Sequence, residues 1–159
     1  MTQRDPRALR DAFSAFMTGV TIVATLGAEG APVGFTANSF TSVSLDPPLL
    51  LVCIANRSSS LDAFLAADGF SVNILSAAQE DLSRRFAAPG EDRFAGVAWR
   101  PGPAGNPVLS GCCGWFDCRS HKRVVAGDHT ILIGEVVGFN HHPERALGYA
   151  RGGYFSLDS

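Results

Sequence analysis

Between two apolar runs, the segment from Gly34 to Pro48, GFTANSFTSVSLDPP, concentrates Thr36, Asn38, Ser39, Thr41, Ser42 and Ser44. Hydroxyls, a carboxamide and closely spaced backbone N–H groups can bind phosphate oxygens and the polar edge of a heteroaromatic ring without net positive charge. The same β-turn formers would equally make an ordinary polar turn. Further along, Arg84, Arg85 and Phe86 end an amphipathic stretch. The guanidinium groups could grip a phosphate bidentately and the ring could pack on a planar heterocycle, or the two cations could simply complement a helix C-terminus. Of the histidines His121, His129, His141 and His142, His129 stands in a Gly-Asp-His turn between two long β-rich runs. There a ring could point into a cleft and donate to a bound carboxamide, although a lone histidine is equally at home in a structural role. Finally, YARGGYF at 149–155 sets Tyr149, Arg151 and Tyr154 around two glycines that allow close backbone approach, or forms a turn and a packed strand.

Other chemistries lack their signals. No G-x-G-x-x-G follows a strand, and neither G-x-x-x-x-G-K-[ST], H-E-x-x-H nor G-x-S-x-G occurs, which removes the Rossmann, P-loop, zinc-hydrolase and nucleophile-elbow readings. Cys53, Cys112, Cys113 and Cys118 have no paired C-x-x-C spacing, so no metal is expected, and small partly buried thiols in a reducing compartment are. A net charge of -2 without a basic cluster argues against a nucleic-acid partner. The start, MTQRDPRALRDAF, lacks the apolar centre of a secretory signal, and no run approaches a membrane span, so a cytoplasmic protein without membrane attachment is expected.

These candidate residues need elements to hold them. At 159 residues, 46% apolar and 18% charged, the chain fits one domain, residues 1–159, with one real core. Leu9, Ala12, Phe13 and Phe16 predict an amphipathic helix over 5–17, with Pro6 in its first turn. VTIVATL (20–26), PVGF (32–35), PLLLVCI (48–54) and FSVNIL (70–75) predict strands. Short helices are expected at 58–67, capped by Ser58 or Ser59, and at 77–87. From 88 to 110 the Pro- and Gly-rich sequence predicts a long surface loop with a short strand near 97–99. Runs 113–125 and 130–140, separated by AGDH, predict a long hairpin, and GGYFSL a last strand. Few helices between strands favour an antiparallel barrel over a doubly wound sheet.

Taken together, FMTGVTIVAT (16–25), GFTANSFTSVSLDPPLLLVCI (34–54), NRSSS (56–60), FSVNIL (70–75), AGDHTILIGEVV (126–137) and GGYF (152–155) resemble the flavin reductase family, whose members supply reduced flavin to two-component monooxygenases. The resemblance runs through nearly the whole chain. It implies a mainly β fold with short helices, a split β-barrel of Greek-key type that binds FMN or FAD, and usually a homodimer. The implied activity is hydride transfer from NADH or NADPH to flavin, with a partner monooxygenase receiving the product.

Carried over motif by motif, the resemblance places Thr36, Ala37, Asn38 and Ser39 at the isoalloxazine edge. Ser42, Ser44, Ser59, Ser60, Arg85 and Phe86 would hold ribityl, phosphate or adenylate groups, and Cys53, Ile54 and Ala55 would offer backbone contacts. His129 would lie by the nicotinamide, with Tyr149, Arg151 and Tyr154 as further pyridine-nucleotide contacts. Cys112 and Cys113 before Trp115 depart from the small apolar residues expected there. Two competing readings are a non-catalytic flavin- or haem-binding split barrel and an FMN oxidase similar to the pyridoxamine-phosphate oxidases.

Overall fold

The computed structural model describes residues 5–90 and 92–157; residues 1–4 of the charged leading stretch, residue 91 and the last two residues lie outside the described residues. Helix α1 (Pro6–Ser14) starts at Asp5, whose carboxylate accepts the Arg7 N–H at 2.9 Å. It stops before Met17, because the chain turns into the two-residue strand β1 (Thr18–Gly19). Then come β2 (Thr21–Leu26), β3 (Pro32–Ala37), β4 (Thr41–Leu45), β5 (Pro48–Ala55), α2 (Leu61–Ala66), β6 (Gly69–Ile74) and α3 (Glu80–Ala87). The remaining strands are β7 (Trp99–Pro101), β8 (Pro107–Leu109), β9 (Gly114–Ala126), β10 (His129–His141), β11 (Leu147–Ala150) and β12 (Gly153–Ser156).

One antiparallel sheet runs in the order β3-β2-β6-β9-β10-β5-β4. Along β2 the side chains alternate faces. Val23 joins Leu50, Val52, Ile54, Phe70, Val72 and Leu132 in one core, while Ile22 and Ala24 join Leu75, Phe86, Phe94, Leu109 and Leu147 in another. The first core unites residues from both halves of the sheet, which therefore curls round it. Its ends, β3 and β4, are not laddered to one another. The fold is the expected mainly β split barrel, with the second core covering the sheet's outer face under α3 and the 88–110 region.

Four strands were not expected: the short β1 and β8, and β4 and β11. β4 lies within the hydroxyl-rich segment and is mostly exposed; Val43 and Leu45 alternate with Ser42 and Ser44, but so short a run among turn formers reads as a polar turn. β11, only LGYA, pairs with both β1 and β12 to form a small second sheet. α2 begins later than expected: Ser58 Oγ accepts the Ser60 N–H at 3.2 Å, so it caps the turn leading into the helix rather than the helix itself.

Nor is the 88–110 stretch a free surface loop. It contains the β7–β8 hairpin and is tied to the sheet by buried polar groups. Asn73 Oδ1 accepts the Leu109 N–H at 2.9 Å, while Asp117 accepts from Asn106 Nδ2 at 2.7 Å and from the Ala104 N–H at 2.6 Å. Buried polar groups satisfied in this way specify one conformation of a segment that composition alone leaves undetermined.

Candidate active site

Three adjoining hollows meet at Asn38. The largest, about 950 Å³, runs between α1 and a wall that includes Asn38, Ser39, His129, Tyr149 and Arg151. A second, about 230 Å³, follows Thr36 to Ser39 and the facing residues Cys53 to Ala55, again with His129 on its wall. The third, about 160 Å³, is lined by Thr36, Asn38, Ser83, Tyr149 and Tyr154 among others. Residues far apart in sequence thus line one connected groove.

The local sequence explains this convergence. In the β4–β5 ladder Thr41 faces Leu51, a register that places Ser39 opposite Cys53. There the Ser39 side chain stands in for the backbone: its Oγ accepts the Cys53 N–H at 2.8 Å and its hydroxyl lies 3.4 Å from the Cys53 carbonyl oxygen. The main chain at Asn38 and Ser39 is therefore released from the sheet edge into the groove.

The β9–β10 turn is held just as locally. Asn56 N–H donates to the Asp128 carbonyl at 2.9 Å, Asn56 Nδ2 donates to the Gly127 carbonyl at 3.2 Å, and Thr130 Oγ1 donates to Asn56 Oδ1 at 2.7 Å. His129, the first residue of β10, is consequently fixed beside Ala55 of β5. Its Nδ1–H donates to Asp128 Oδ1 at 2.7 Å, which fixes the tautomer and leaves Nε2 for a ligand. That hydrogen bond, followed by the charge of the ring, holds the Asp128 carboxyl below its ordinary 3.8. Asn56, quoted above only as part of NRSSS, is a supporting residue whose role lay in a contact across 74 positions with Thr130.

On the far side, Tyr154 Oη and Ser83 Oγ are 2.8 Å apart, and Thr36 Oγ1 donates to the Ser83 carbonyl at 2.6 Å. Arg84 lies over the Tyr154 ring, 4.8 Å from its centroid. This chain of contacts locks α3 against β3 and β12, and it commits the Thr36 proton to the scaffold, leaving that oxygen as an acceptor.

Several expected contacts fall elsewhere. Phe86 is 1% exposed and packs edge-on against Phe94 at 4.9 Å, so its ring is core and cannot stack on a ligand. Arg85 donates to the carbonyls of Asp92 and Ala95, at 3.1 and 2.6 Å, and holds the 92–95 turn. The cation beside Ser59 and Ser60 is Arg93, in a hollow of about 200 Å³ floored by Gly34. A Cβ at Gly34 would come within 2.9 Å of the Val23 carbonyl oxygen and close to the Phe86 and Phe94 rings, so glycine lets β3 lie this near β2 and the second core. Arg93 donates to the Gly34 and Ala88 carbonyls at 2.9 Å each. Its DRF context carried no signal, because nothing local distinguishes it from other loop arginines. Ser42 and Ser44 lie on edge strand β4 and line none of these hollows.

The cysteines are free thiols without metal geometry: no group of three or more His, Cys, Asp or Glu among the described residues could hold an ion. Burial pushes Cys112 and Cys118 up to about 12 and also raises Cys53 and Cys113. Cys112 and Cys113 sit in the turn before β9 rather than alternating along a strand.

The donor set suits a flavin. Around the second hollow stand hydroxyls, the Asn38 carboxamide, strand backbone and an imidazole, and no carboxylate, which matches a neutral ring edged with carbonyls and ring nitrogens. Among the described residues no helix is long and apolar enough to cross a membrane.

Comparison with known proteins gives the family of the chain. The family described as "Flavin reductase like domain" matches residues 13–158. The chain is 56% identical over 152 residues to the "Probable flavin reductase" of Rhizobium meliloti (strain 1021), covering 96% of this chain and 49% of that protein. It is 53% identical over 150 residues to the reductase component of the flavin-dependent trigonelline monooxygenase of Acinetobacter baylyi, covering 94% and 48% respectively. The chain thus spans about half the length of these two curated relatives. Among solved structures it is similar to the NADH:FAD oxidoreductase SgcE6 of Streptomyces globisporus C-1027 in complex with NAD and FAD fragments. That match has a TM-score of 0.91 at 37% identity and covers 99% of this chain and 96% of the other.

Proposed function

The chain belongs to the flavin reductase like domain family, and from that premise we propose that it is a reductase passing a hydride from NADH or NADPH to FMN or FAD. The observation that carries this reading is His129 on the wall shared by the two larger hollows, one running along Thr36 to Ser39 and the other open toward Tyr149 and Arg151. A flavin edge and a nicotinamide can meet there. When both are bound they supply the redox chemistry, hydride leaving nicotinamide C4 for flavin N5.

The protein's part is orientation and electrostatics. Asn38, Ser39 and the backbone from Cys53 to Ala55 hold the ring edge, where N–H groups oppose the negative charge that develops during reduction. His129 Nε2 positions the carboxamide, with Tyr149, Arg151 and Tyr154 beside it. Ser59, Ser60 and Arg93 hold the phosphate. No side chain has to move a proton, which accords with the absence of a paired-carboxylate or triad motif.

The product, reduced flavin, passes to a flavin-dependent monooxygenase, a role supported by the trigonelline relative's description as a reductase component. The protein works as a homodimer in the cytoplasm: Leu45, Val43 and Phe139 present exposed apolar surface, and all four cysteines are free.

Anaerobic absorbance at 340 and near 450 nm tests the activity, with each pairing of FMN or FAD and NADH or NADPH. Loss of both bands over many turnovers of free flavin is the expected result; tight flavin binding without nicotinamide oxidation would refute it.

A further inference from the structure

Hydride transfer needs two rings at one spacing, and here they rest on two different pieces of backbone. In the proposed reductase Cys53 to Ala55 of β5 hold the flavin edge, whereas His129, which takes the nicotinamide, is the first residue of β10. The β5–β10 ladder joins these pieces but ends at the Ala55–His129 pair. Ladder ends open readily where nothing packs on them. This one is such an end: residues 126–129 are exposed, the Asp128 side chain 97% so, and Val125 just before the turn is 75% exposed.

What secures the turn is a residue one place beyond the ladder. The Asn56 backbone N–H donates to the Asp128 carbonyl and its Nδ2 to the Gly127 carbonyl, while its Oδ1 accepts from Thr130 Oγ1. The first two bonds grip the turn itself, where Gly127 has a left-handed φ of 64°. The third ties the grip to Thr130, which is 3% exposed and pairs with Ile54. Thr130 thus anchors the clamp in the barrel.

Asn56 is exposed and lines none of the three hollows that meet at Asn38. It is placed to touch neither ring and supports no core. Asn side chains in turns ordinarily bond their own backbone two residues on. This one commits its side chain to partners 71 and 74 positions away, on the segment that carries His129.

We propose that Asn56, working through Thr130 and the Gly127 carbonyl, is a positioning residue that sets the spacing of nicotinamide C4 from flavin N5. The proposal rests on the reductase reading and adds to it a residue that meets neither cofactor. The C4–H bond breaks as the N5–H bond forms, with the electron pair travelling on the hydride. Asn56 changes only the distance over which this happens, and a misplacement of about 1 Å can cost about a hundredfold in rate.

Single-turnover reduction of bound FMN by saturating NADH, mixed anaerobically and followed as loss of the flavin band, tests this. NADH deuterated at C4 identifies the observed phase as the hydride step. In Asn56→Ala, which truncates an exposed side chain and opens no cavity, that phase is expected to slow about ten- to a hundredfold. The dissociation constants of FMN and NAD+ and the melting temperature stay near those of the wild type. Thr130→Val is slowed in the same direction, and Thr130→Ser, which keeps the hydroxyl, is not. The Asn56→Ala/Thr130→Val double variant is no slower than Asn56→Ala alone, as for residues acting in one chain of contacts. The two Thr130 variants decide the matter should Asn56→Ala fail to fold.

A hydride phase as fast as the wild type in Asn56→Ala and Thr130→Val would overturn the proposal. So would a slowing matched by equal loss of FMN or NAD+ affinity, which would make Asn56 a support of one ligand site and not of the spacing. Should neither NADH nor NADPH reduce FMN on the wild-type protein, the reductase reading itself fails and takes this proposal with it. If the wild type is reduced and the variants keep pace, only the role of Asn56 is lost.

Discussion

Ser39 faces Cys53 across the end of the β4–β5 ladder, and its hydroxyl, 2.8 Å from the Cys53 nitrogen, takes the place of a backbone carbonyl. One side chain thus ends a strand pairing and frees the adjoining main chain for a ligand.

Ser39→Ala should therefore weaken both fold and site. Leaving the half-buried Cys53 N–H without its partner costs about 1 kcal/mol, or about 2–4 °C in Tm for a chain of this size. Flavin affinity should fall about tenfold, equivalent to about 1.4 kcal/mol. Thermal denaturation and quenching of flavin fluorescence measure the two; a lowered Tm with unchanged flavin affinity would show that the segment does not need this anchor.

The Asp128–His129 pair makes a pH statement. Because the Asp128 carboxyl is held below its ordinary 3.8 by the His129 ring, the pair contributes above that value and is lost as pH falls through the folded-state value. Asp128 is fully exposed, so the effect on stability is small. Asp128→Ala should raise KM for NADH about three- to tenfold by releasing the ring, whose Nδ1 it holds at 2.7 Å. Initial rates of wild type and variant at one fixed pH well above the carboxylate range provide the check, and an unchanged KM would show that this carboxylate does not orient the ring.

Arg93, not Arg85, stands beside Ser59 and Ser60. Arg93→Ala is expected to weaken FMN binding about tenfold, within the range for a charge-assisted hydrogen bond, while riboflavin, which has no phosphate, binds as before. Arg85→Ala, which removes only the hold on the 92–95 turn, should do less. Titration of both flavins against both variants separates the roles; equal losses for riboflavin and FMN would mean that Arg93 supports the loop and nothing more.

Burial of the thiols predicts alkaline behaviour. In the unfolded chain cysteines ionise near 9, whereas folded Cys112 and Cys118 do so only near 12. The unfolded state thus loses protons first, and stability present below pH 9 declines as pH rises above it. Native protein should react slowly with a thiol reagent at pH 8 and release all four cysteines on denaturation. Fast reaction of Cys112 or Cys118 in the native state would mean that the second core opens locally.

Most of the barrel was legible because buried strands leave a strong mark in composition. VTIVATL and PLLLVCI became β2 and β5, and AGDH marked the turn between the two longest strands, since each choice agrees with local preference. β4 and β11 escaped: the first is a short exposed edge whose Val43 and Leu45 sit among turn-forming hydroxyls, and the second is only four residues long.

The sequence by itself determined the polar Thr36–Ser39 segment, the His129 turn and the order of motifs that marks the family, because all are written in contiguous residues. Which residues share a cavity was decided only in three dimensions. Arg85 and Phe86 adjoin in the chain, yet helical geometry sends one to solvent and the other into the core. Arg93 reaches the carbonyl of Gly34 across 59 positions, and Asn56 meets Thr130 across 74. No local pattern records such distances, because they are set by the curl of the sheet and by buried polar groups that must find partners wherever the fold brings them.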